Sequence, residues 1–256
     1  MQDMQTRIIG IVSGKGGVGK TTTTSNVGAA LSLLQKNTIL VDGNLTTPNL
    51  SLHLGIPFYP YTLHDVLEGK IELEDAIFYH KSGLKIIPSS LSLSALRRIN
   101  LHRFGKVLHS LIGRTEYVLV DSSPGLGKET QSVIEHSDEL IVVVNPELPA
   151  VTDALKVVKL AESLGTKITG IVVNRVNRHV HELPTKEIEE ILEYPVISVI
   201  PEDINVQRSI VKKMPAVFLY PNSKAVRRFK EIAYHLTGER PQRKTLIEIV
   251  KGFFGF

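Results

Sequence analysis

Ser13-Gly14-Lys15-Gly16-Gly17-Val18-Gly19-Lys20-Thr21 concentrates the residue types most able to do chemistry in this chain. Its spacing fits G-x-x-x-x-G-K-[ST], in which glycines let successive backbone N–H groups curl around the phosphates of a nucleotide. In such a loop Lys20 neutralises β- and γ-phosphate charge and the Thr21 hydroxyl ligates Mg²⁺. Thr22 then continues into a helix whose N-terminus adds its positive end. The pattern is informative only between a strand and a helix. Here the apolar run Ile8–Val12 precedes it and the helix-forming stretch Lys20–Gln35 follows. A nucleotide site is expected; a glycine-rich turn without a ligand is the alternative.

Two aspartates fall where they could serve that site. Asp42 follows the apolar run Thr38–Val41, and Asp121 follows Tyr117–Val120. In a parallel sheet the C-terminal strand ends open onto one crevice, beside a phosphate loop. An apolar strand ending in Asp is also the pattern that holds Mg²⁺ and its water. Either residue could instead cap a helix or close a turn. After Asp121, the glycines of Ser122-Ser123-Pro124-Gly125-Leu126-Gly127 permit the movement that a γ-phosphate sensor needs.

The elements that must position these groups read as alternating strands and helices. Near-continuously apolar runs mark strands at Ile8–Val12, Thr38–Val41, Leu84–Ile87, Tyr117–Val120, Leu140–Val144, Ile168–Val173 and Val196–Ile200, as expected when both sheet faces are covered. Helix-length segments lie between most of them: Lys20–Gln35, Leu101–Ile112, Glu129–His136, Ala150–Leu164 and Leu183–Leu192. The alternation predicts an α/β fold, a doubly wound, mostly parallel sheet with helices on both faces. Residues 43–82 interrupt the rhythm with a long excursion carrying Pro48, Pro57 and Pro60 and a short helix at Thr62–Leu67. Excursions of this length are usually functional, and this one is too apolar for disorder. The predicted organisation is a domain over 1–237, a linker over 238–242 and a tail over 243–256.

Composition narrows the function classes. The chain has 256 residues, 42% of them apolar, and a net charge of +4, too apolar for disorder and too mildly basic to imply nucleic acid from charge alone. It has no cysteine, which excludes disulfides, thiolate metal sites and cysteine nucleophiles. No run reaches the roughly 18 apolar residues of a spanning helix, and no signal peptide is visible, so a soluble, cytoplasmic protein is expected. His179 and His181, without an obvious third ligand, do not suggest a metal centre. The doublets Arg97-Arg98, Lys212-Lys213 and Arg227-Arg228 read as solvated charges, with DNA-backbone contact as the alternative.

The tail is amphipathic at helical spacing. Leu246, Ile247, Ile249, Val250, Phe253, Phe254 and Phe256 share one half of a helical projection, and Lys244, Glu248 and Lys251 the other. Such a helix suits the interface of an anionic membrane. Apolar burial of its face and the ordering cost, about 1–2 kcal/mol per residue, are of the same order. One tail should therefore bind weakly, and pairing two raises avidity by about 10²–10⁴. A helix docked on its own domain or on a protein partner would carry the same pattern.

A second lysine, Lys15, gives the loop the form K-G-G-x-G-K-T-T. With it the chain resembles the MinD/ParA family of dimerising ATPases, through its archaeal MinD-like members. The likeness continues in Val41-Asp42-Gly43-Asn44-Leu45-Thr46, Thr62-Leu63-His64-Asp65-Val66-Leu67, Val144-Asn145-Pro146-Glu147, Val173-Asn174-Arg175 and Ile200-Pro201-Glu202-Asp203. It implies ATP and Mg²⁺ as ligands, and a homodimer in the ATP state, with Lys15 reaching the partner's phosphates. It also implies that Asn174, Arg175, Pro201 and Asp203 frame the base, that Glu147 reaches a partner's nucleotide, and that Asp153 lies on a partner-binding helix. Asn174 capping a strand and Pro201 starting a turn remain alternatives. The tail resembles the membrane-targeting helix of MinD proteins.

One position departs from the family. Relatives carry Asp-x-Asp where this chain has Asp42-Gly43-Asn44, and the second Asp orients the attacking water. An amide can orient water through its oxygen but cannot take a proton, so hydrolysis is expected to be slow or partner-stimulated. The expected role is an ATP-dependently dimerising switch at the inner face of the cell membrane, placing a division site or other surface machinery with an unidentified protein partner. The alternative is a ParA-like ATPase that binds DNA non-specifically; the aromatic tail and modest charge argue against nucleic acid.

Overall fold

The computed structural model describes residues 5–56, 58–92, 100–177 and 181–239. The tail, with Leu246, Ile247, Ile249, Val250, Phe253 and Phe254 that the sequence leads one to expect at a membrane, lies outside them, as do Pro57, the Arg97-Arg98 doublet and His179.

Eight strands form one sheet in the order β3-β4-β2-β5-β1-β6-β7-β8. They are β1 (Arg7–Val12), β2 (Thr38–Gly43), β3 (Phe78–Tyr79), β4 (Lys85–Ile87), β5 (Tyr117–Ser122), β6 (Glu139–Val144), β7 (Lys167–Val176) and β8 (Val196–Pro201). All neighbours pair in parallel except the short edge strand β3 against β4. The seven expected strands are present. β2 and β5 each run two residues further than the apolar runs, so that Asp42 and Asp121 are paired strand residues in register with each other.

Alternation along the strands sorts the core into two layers. Ile8, Val12, Ile39, Val41, Val118 and Val120 face one side, while Ile9, Ile11, Leu40, Leu119, Ile141 and Val143 face the other. The helices in chain order are α1 (Lys20–Leu33), α2 (Leu50–His53), α3 (Leu63–Glu68), α4 (Phe104–His109), α5 (Lys128–Glu135), α6 (Leu148–Leu164), α7 (Thr185–Leu192), α8 (Ile204–Val211), α9 (Ala216–Leu219) and α10 (Lys224–Thr237). Residues of α1 and α10 pack in the second layer, with Phe229 fully buried, and residues of α3 to α7 pack in the first around Phe104. The long excursion is ordered by α2, α3 and a 3-10 turn at Leu73–Ala76. Thr62 caps α3 in a reciprocal box with Asp65, the arrangement that satisfies two otherwise orphaned N–H groups.

Helix α1 is buried along most of its length although its first seven residues are all Lys, Thr, Ser or Asn. Its side chains return their hydrogen bonds to its own backbone: Thr23 Oγ1 to Gly19 O at 2.9 Å, Thr24 Oγ1 to Lys20 O at 3.1 Å, and Asn26 Nδ2 to Thr22 O at 2.8 Å. Small, self-satisfied side chains let the helix sit between sheet and α10 at little polar cost.

Candidate functional site

The loop between β1 and α1 forms a cradle with its open side at the C-terminal ends of β1, β2 and β5. Gly19 takes φ +97°, and a Cβ there would strike the Asn174 amide at 2.2 Å. Gly14 is more tightly enclosed: a Cβ would fall 2.1 Å from the Asp153 carbonyl carbon. That fixes the loop's start against α6. Lys20 is only 7% exposed, and its Nζ donates to Ser13 Oγ at 2.9 Å. Burial lowers its pKa, and the nearby Asp121 carboxylate partly restores it. The cradle opens into a cavity of about 400 Å³ lined by Gly16, Lys20, Thr21, Asn44, Ser122 and Pro124, among others.

Asp121 accepts from Thr21 Oγ1 at 2.6 Å and from Thr24 Oγ1 at 3.4 Å. Burial pushes its carboxyl up to about 6. Asp42, fully buried, is held well above the carboxylate range by burial and by the Asp121 charge. Asp42 also accepts from Leu50 N at 3.1 Å and Asn44 N at 3.3 Å, so it closes the turn after β2 as well as standing beside Asp121. Two buried carboxylates and a hydroxyl are hard oxygen donors, lacking a compensating cation strong enough to keep both ionised. This donor set fits Mg²⁺.

Asn44 projects into the same cavity from the end of β2. Its Nδ2 donates to Thr47 O at 2.6 Å, and its Oδ1 accepts from Thr47 N at 3.2 Å and from Ser123 Oγ at 2.9 Å. The segment after β5 is tied to the cradle where Gly125 N donates to Ser13 O at 3.0 Å.

A second cavity, of about 320 Å³, adjoins the cradle and is lined by Gly17, Gly19, Asn174, Arg175, Pro201 and Asp203 with others. A bulge in β7 between Val173 and Val176 builds its floor. Asn174 turns inward there and donates to Val18 O at 2.8 Å. Arg175, at φ 61°, turns to the rim and pairs with Glu202 at 2.8 Å. Asp203 caps α8 through Asn205 N at 2.8 Å and accepts from Ser223 Oγ at 2.6 Å. Its carboxyl is held below the usual range, hydrogen bonds outweighing the opposing burial.

Residues 9–216 match the CobQ/CobB/MinD/ParA nucleotide binding domain. The chain belongs to this family. An uncharacterised ATP-binding protein of Methanocaldococcus jannaschii is 40% identical over 254 residues, covering 96% of each chain. The septum site-determining protein MinD of Pyrococcus horikoshii, solved with Mg-ADP, has a TM-score of 0.87 at 36% identity, covering 91% of this chain and 96% of that one. A chain of the MinC:MinD cell division protein complex of Aquifex aeolicus gives 0.83 at 32%, covering 93% and 98%.

The MinD/ParA-family frame accounts for the division of labour among the sequence-derived candidates. Gly16, Gly17, Gly19, Lys20, Thr21, Thr22 and Asn44 line the first cavity, with Asp121 buried behind Thr21 and Asp42 paired beside it in the sheet, and Asn174, Arg175, Pro201 and Asp203 line the second. Lys15, like Gly14 and Val18, lines neither. Its Nζ lies outside the cavity, 4.0 Å from Glu147 Oε2, and both side chains are about half exposed. Asp153 is engaged by Lys156 on the α6 surface at 2.9 Å.

Sequence reasoning missed Thr47, Asn49 and His53, which line the phosphate cavity from the excursion. It also missed Val206 and Gln207 beside the second cavity, and Glu129, which accepts from Ser123 and Thr46. For Glu129 a signal existed: an acidic residue in the first turn of a helix that starts where the glycine segment ends.

Proposed function

We propose that this MinD/ParA-family protein is a membrane-associated ATPase switch that dimerises on ATP and releases on slow or partner-stimulated hydrolysis, placing a protein partner at the inner face of the cell membrane. The observation that carries the reading is the position of Lys15. Lys20 already occupies the chain's own cradle, while Lys15 stands at the surface beside Glu147. A cation so placed is suited to phosphates held by a second copy. It leaves an exposed, well-solvated pairing that costs little to break.

In the proposed complex the loop N–H groups and Lys20 bind the phosphates, and the second cavity holds adenine against Asn174, Arg175, Pro201 and Asp203. Thr21, Asp42 and Asp121 would hold Mg²⁺, which when bound offsets phosphate charge. Asn44 orients the attacking water through Oδ1. Phosphoryl transfer depends mainly on positioning and charge stabilisation, so an amide supports turnover, and the absence of a second carboxylate at that position makes it slow.

The root of the tail favours dimerisation as the route from nucleotide to membrane. Leu236 O, near the end of α10, accepts from Arg7 Nη1 and from Tyr117 Oη at 3.5 Å. Arg7 and Tyr117 are the first residues of β1 and β5. The chain thus leaves α10 at the N-terminal ends of these central strands, opposite the cradle and about 20 Å away for strands of this length. A second anchor is the Lys36–Glu239 pair at 2.7 Å. Nucleotide does not need to touch the tail if it pairs two of them.

Sedimentation velocity with Mg-ATP, Mg-ADP or no nucleotide tests the reading. A dimer only with Mg-ATP, lost in Lys15→Ala, is expected. A monomer in all three states would contradict it.

A further inference from the structure

A second carboxylate stands behind Asn44. Glu129, in the first turn of α5, accepts from Ser123 Oγ and from Thr46 Oγ1. Ser123 Oγ also lies 2.9 Å from Asn44 Oδ1. One hydroxyl therefore faces two acceptors and has one proton to give. Asn44 Oδ1 is crowded as well. Thr47 N at 3.2 Å and Thr47 Oγ1 at 3.0 Å both point at it. The amide cannot swing away, because Asn44 Nδ2 donates to Thr47 O at 2.6 Å. Three donors surround an oxygen with two lone pairs. While Ser123 is one of them, no lone pair is left for water.

We infer that Glu129, acting through Ser123, decides whether Asn44 Oδ1 is free to orient the attacking water. The inference rests on the hydrolysis proposed above and on the role given there to Asn44. Hydrogen bonds to an ionised carboxylate are roughly twice as strong as those to a neutral amide. Charged Glu129 therefore draws the Ser123 proton to itself and off Asn44. Thr47, whose residue lines the phosphate cavity, is free to turn its hydroxyl toward bound phosphate. Asn44 Oδ1 then keeps the Thr47 N–H and one open lone pair.

An aspartate at position 44 would accept water directly. In this chain the negative charge sits one hydroxyl further back, at the start of the helix that follows the segment Ser122–Gly127. Glu129 is thus a positioning residue. Its place is partly solvent-exposed beside a shallow cavity that shares Asn44, Thr47 and Pro124 with the phosphate cavity. Because the contact reaches Asn44 only through Ser123, removing the Ser123 hydroxyl should make the charge on residue 129 irrelevant.

The test uses the full chain with Mg-ATP, comparing single-turnover hydrolysis and ATP affinity for Glu129→Gln, Ser123→Ala and the double variant. Glutamine still accepts from Thr46, so the local fold is kept. Glu129→Gln should slow hydrolysis about ten- to a hundredfold, the range for a misplaced reacting group, with ATP affinity changed less than about threefold. Adding Ser123→Ala should return the rate to that of Ser123→Ala alone. A double variant as slow as Glu129→Gln would overturn the inference, as would wild-type turnover in Glu129→Gln. If wild type and Asn44→Asp both bind ATP and neither hydrolyses it, the proposed hydrolysis fails and the inference falls with it.

Discussion

Lys15 Nζ rests 4.0 Å from Glu147 Oε2 at the surface, although the Lys20 ammonium, five residues on, is buried against Ser13. Two lysines of one loop thus have opposite environments, and they should fail differently. Lys20→Ala removes the buried cation that answers the phosphates, at a cost of about 2–5 kcal/mol, or thirtyfold and more in ATP affinity. Lys15→Ala should change monomer affinity by less than about threefold and abolish the ATP-dependent dimer. Isothermal titration and sedimentation on both variants check the pair of outcomes.

Gly14 predicts a packing failure. Alanine there would place Cβ within 2.5 Å of the Asp153 and Ala154 backbone, which cannot yield as a flexible side chain could. Gly14→Ala should lower stability by about 1–3 kcal/mol, as overpacking does, and weaken ATP binding by displacing the cradle. A denaturant melt and a nucleotide titration measure the two effects.

The acidic pair predicts a pH dependence. Asp121 titrates near 6 in the folded protein, raised from 3.8. Below the lower value both states hold the proton and there is no penalty. Between the two values the unfolded chain ionises first, so nucleotide-free stability falls as pH rises, and the loss is complete above about 6. The effect is on the order of 1–3 kcal/mol. Asp121→Asn should therefore melt higher than wild type at pH 7.5 without nucleotide and gain less at pH 4.5. It should also lose the EDTA sensitivity expected of Mg-ATP binding in the wild type.

Position 44 tests the proposed hydrolysis. Asn44→Asp supplies a carboxylate at the water-facing position and should raise steady-state hydrolysis about tenfold or more. Equal rates in the two proteins would show that the amide is not what limits turnover.

The phosphate cradle was legible from sequence because its residues are contiguous and its geometry is made by backbone: glycine, lysine and threonine at fixed spacing between strand and helix. The strands were legible because each is apolar on both faces. Their ends were not. Asp42 and Asp121 are legible at the strand ends, but the ladder runs one residue past each, to Gly43 and Ser122, which an apolar-run rule does not reach. The edge strand β3 has two residues, too few for any periodicity. The helix-length segment Leu101–Ile112 is not one helix: a 3-10 turn at Leu101–Arg103 precedes α4, and the chain leaves the helix after His109. Ser123 is legible as part of the glycine segment, but its link to Thr47 and Glu129 is not, because it lies in a hydrogen-bond chain across three segments, which no local spacing encodes. Asn174 became interpretable only through the β7 bulge that points it beneath Gly19.

The central claim is that ATP controls membrane attachment by pairing tails rooted at the strand ends opposite the cradle. Co-sedimentation with anionic liposomes, using the full chain and residues 1–242 with ATP, ADP or no nucleotide, tests it most directly. The account predicts binding of the full chain with ATP, little with ADP, and none for 1–242 in any state. Liposome binding that ignores nucleotide, or no liposome binding together with salt-sensitive association with DNA, would contradict it.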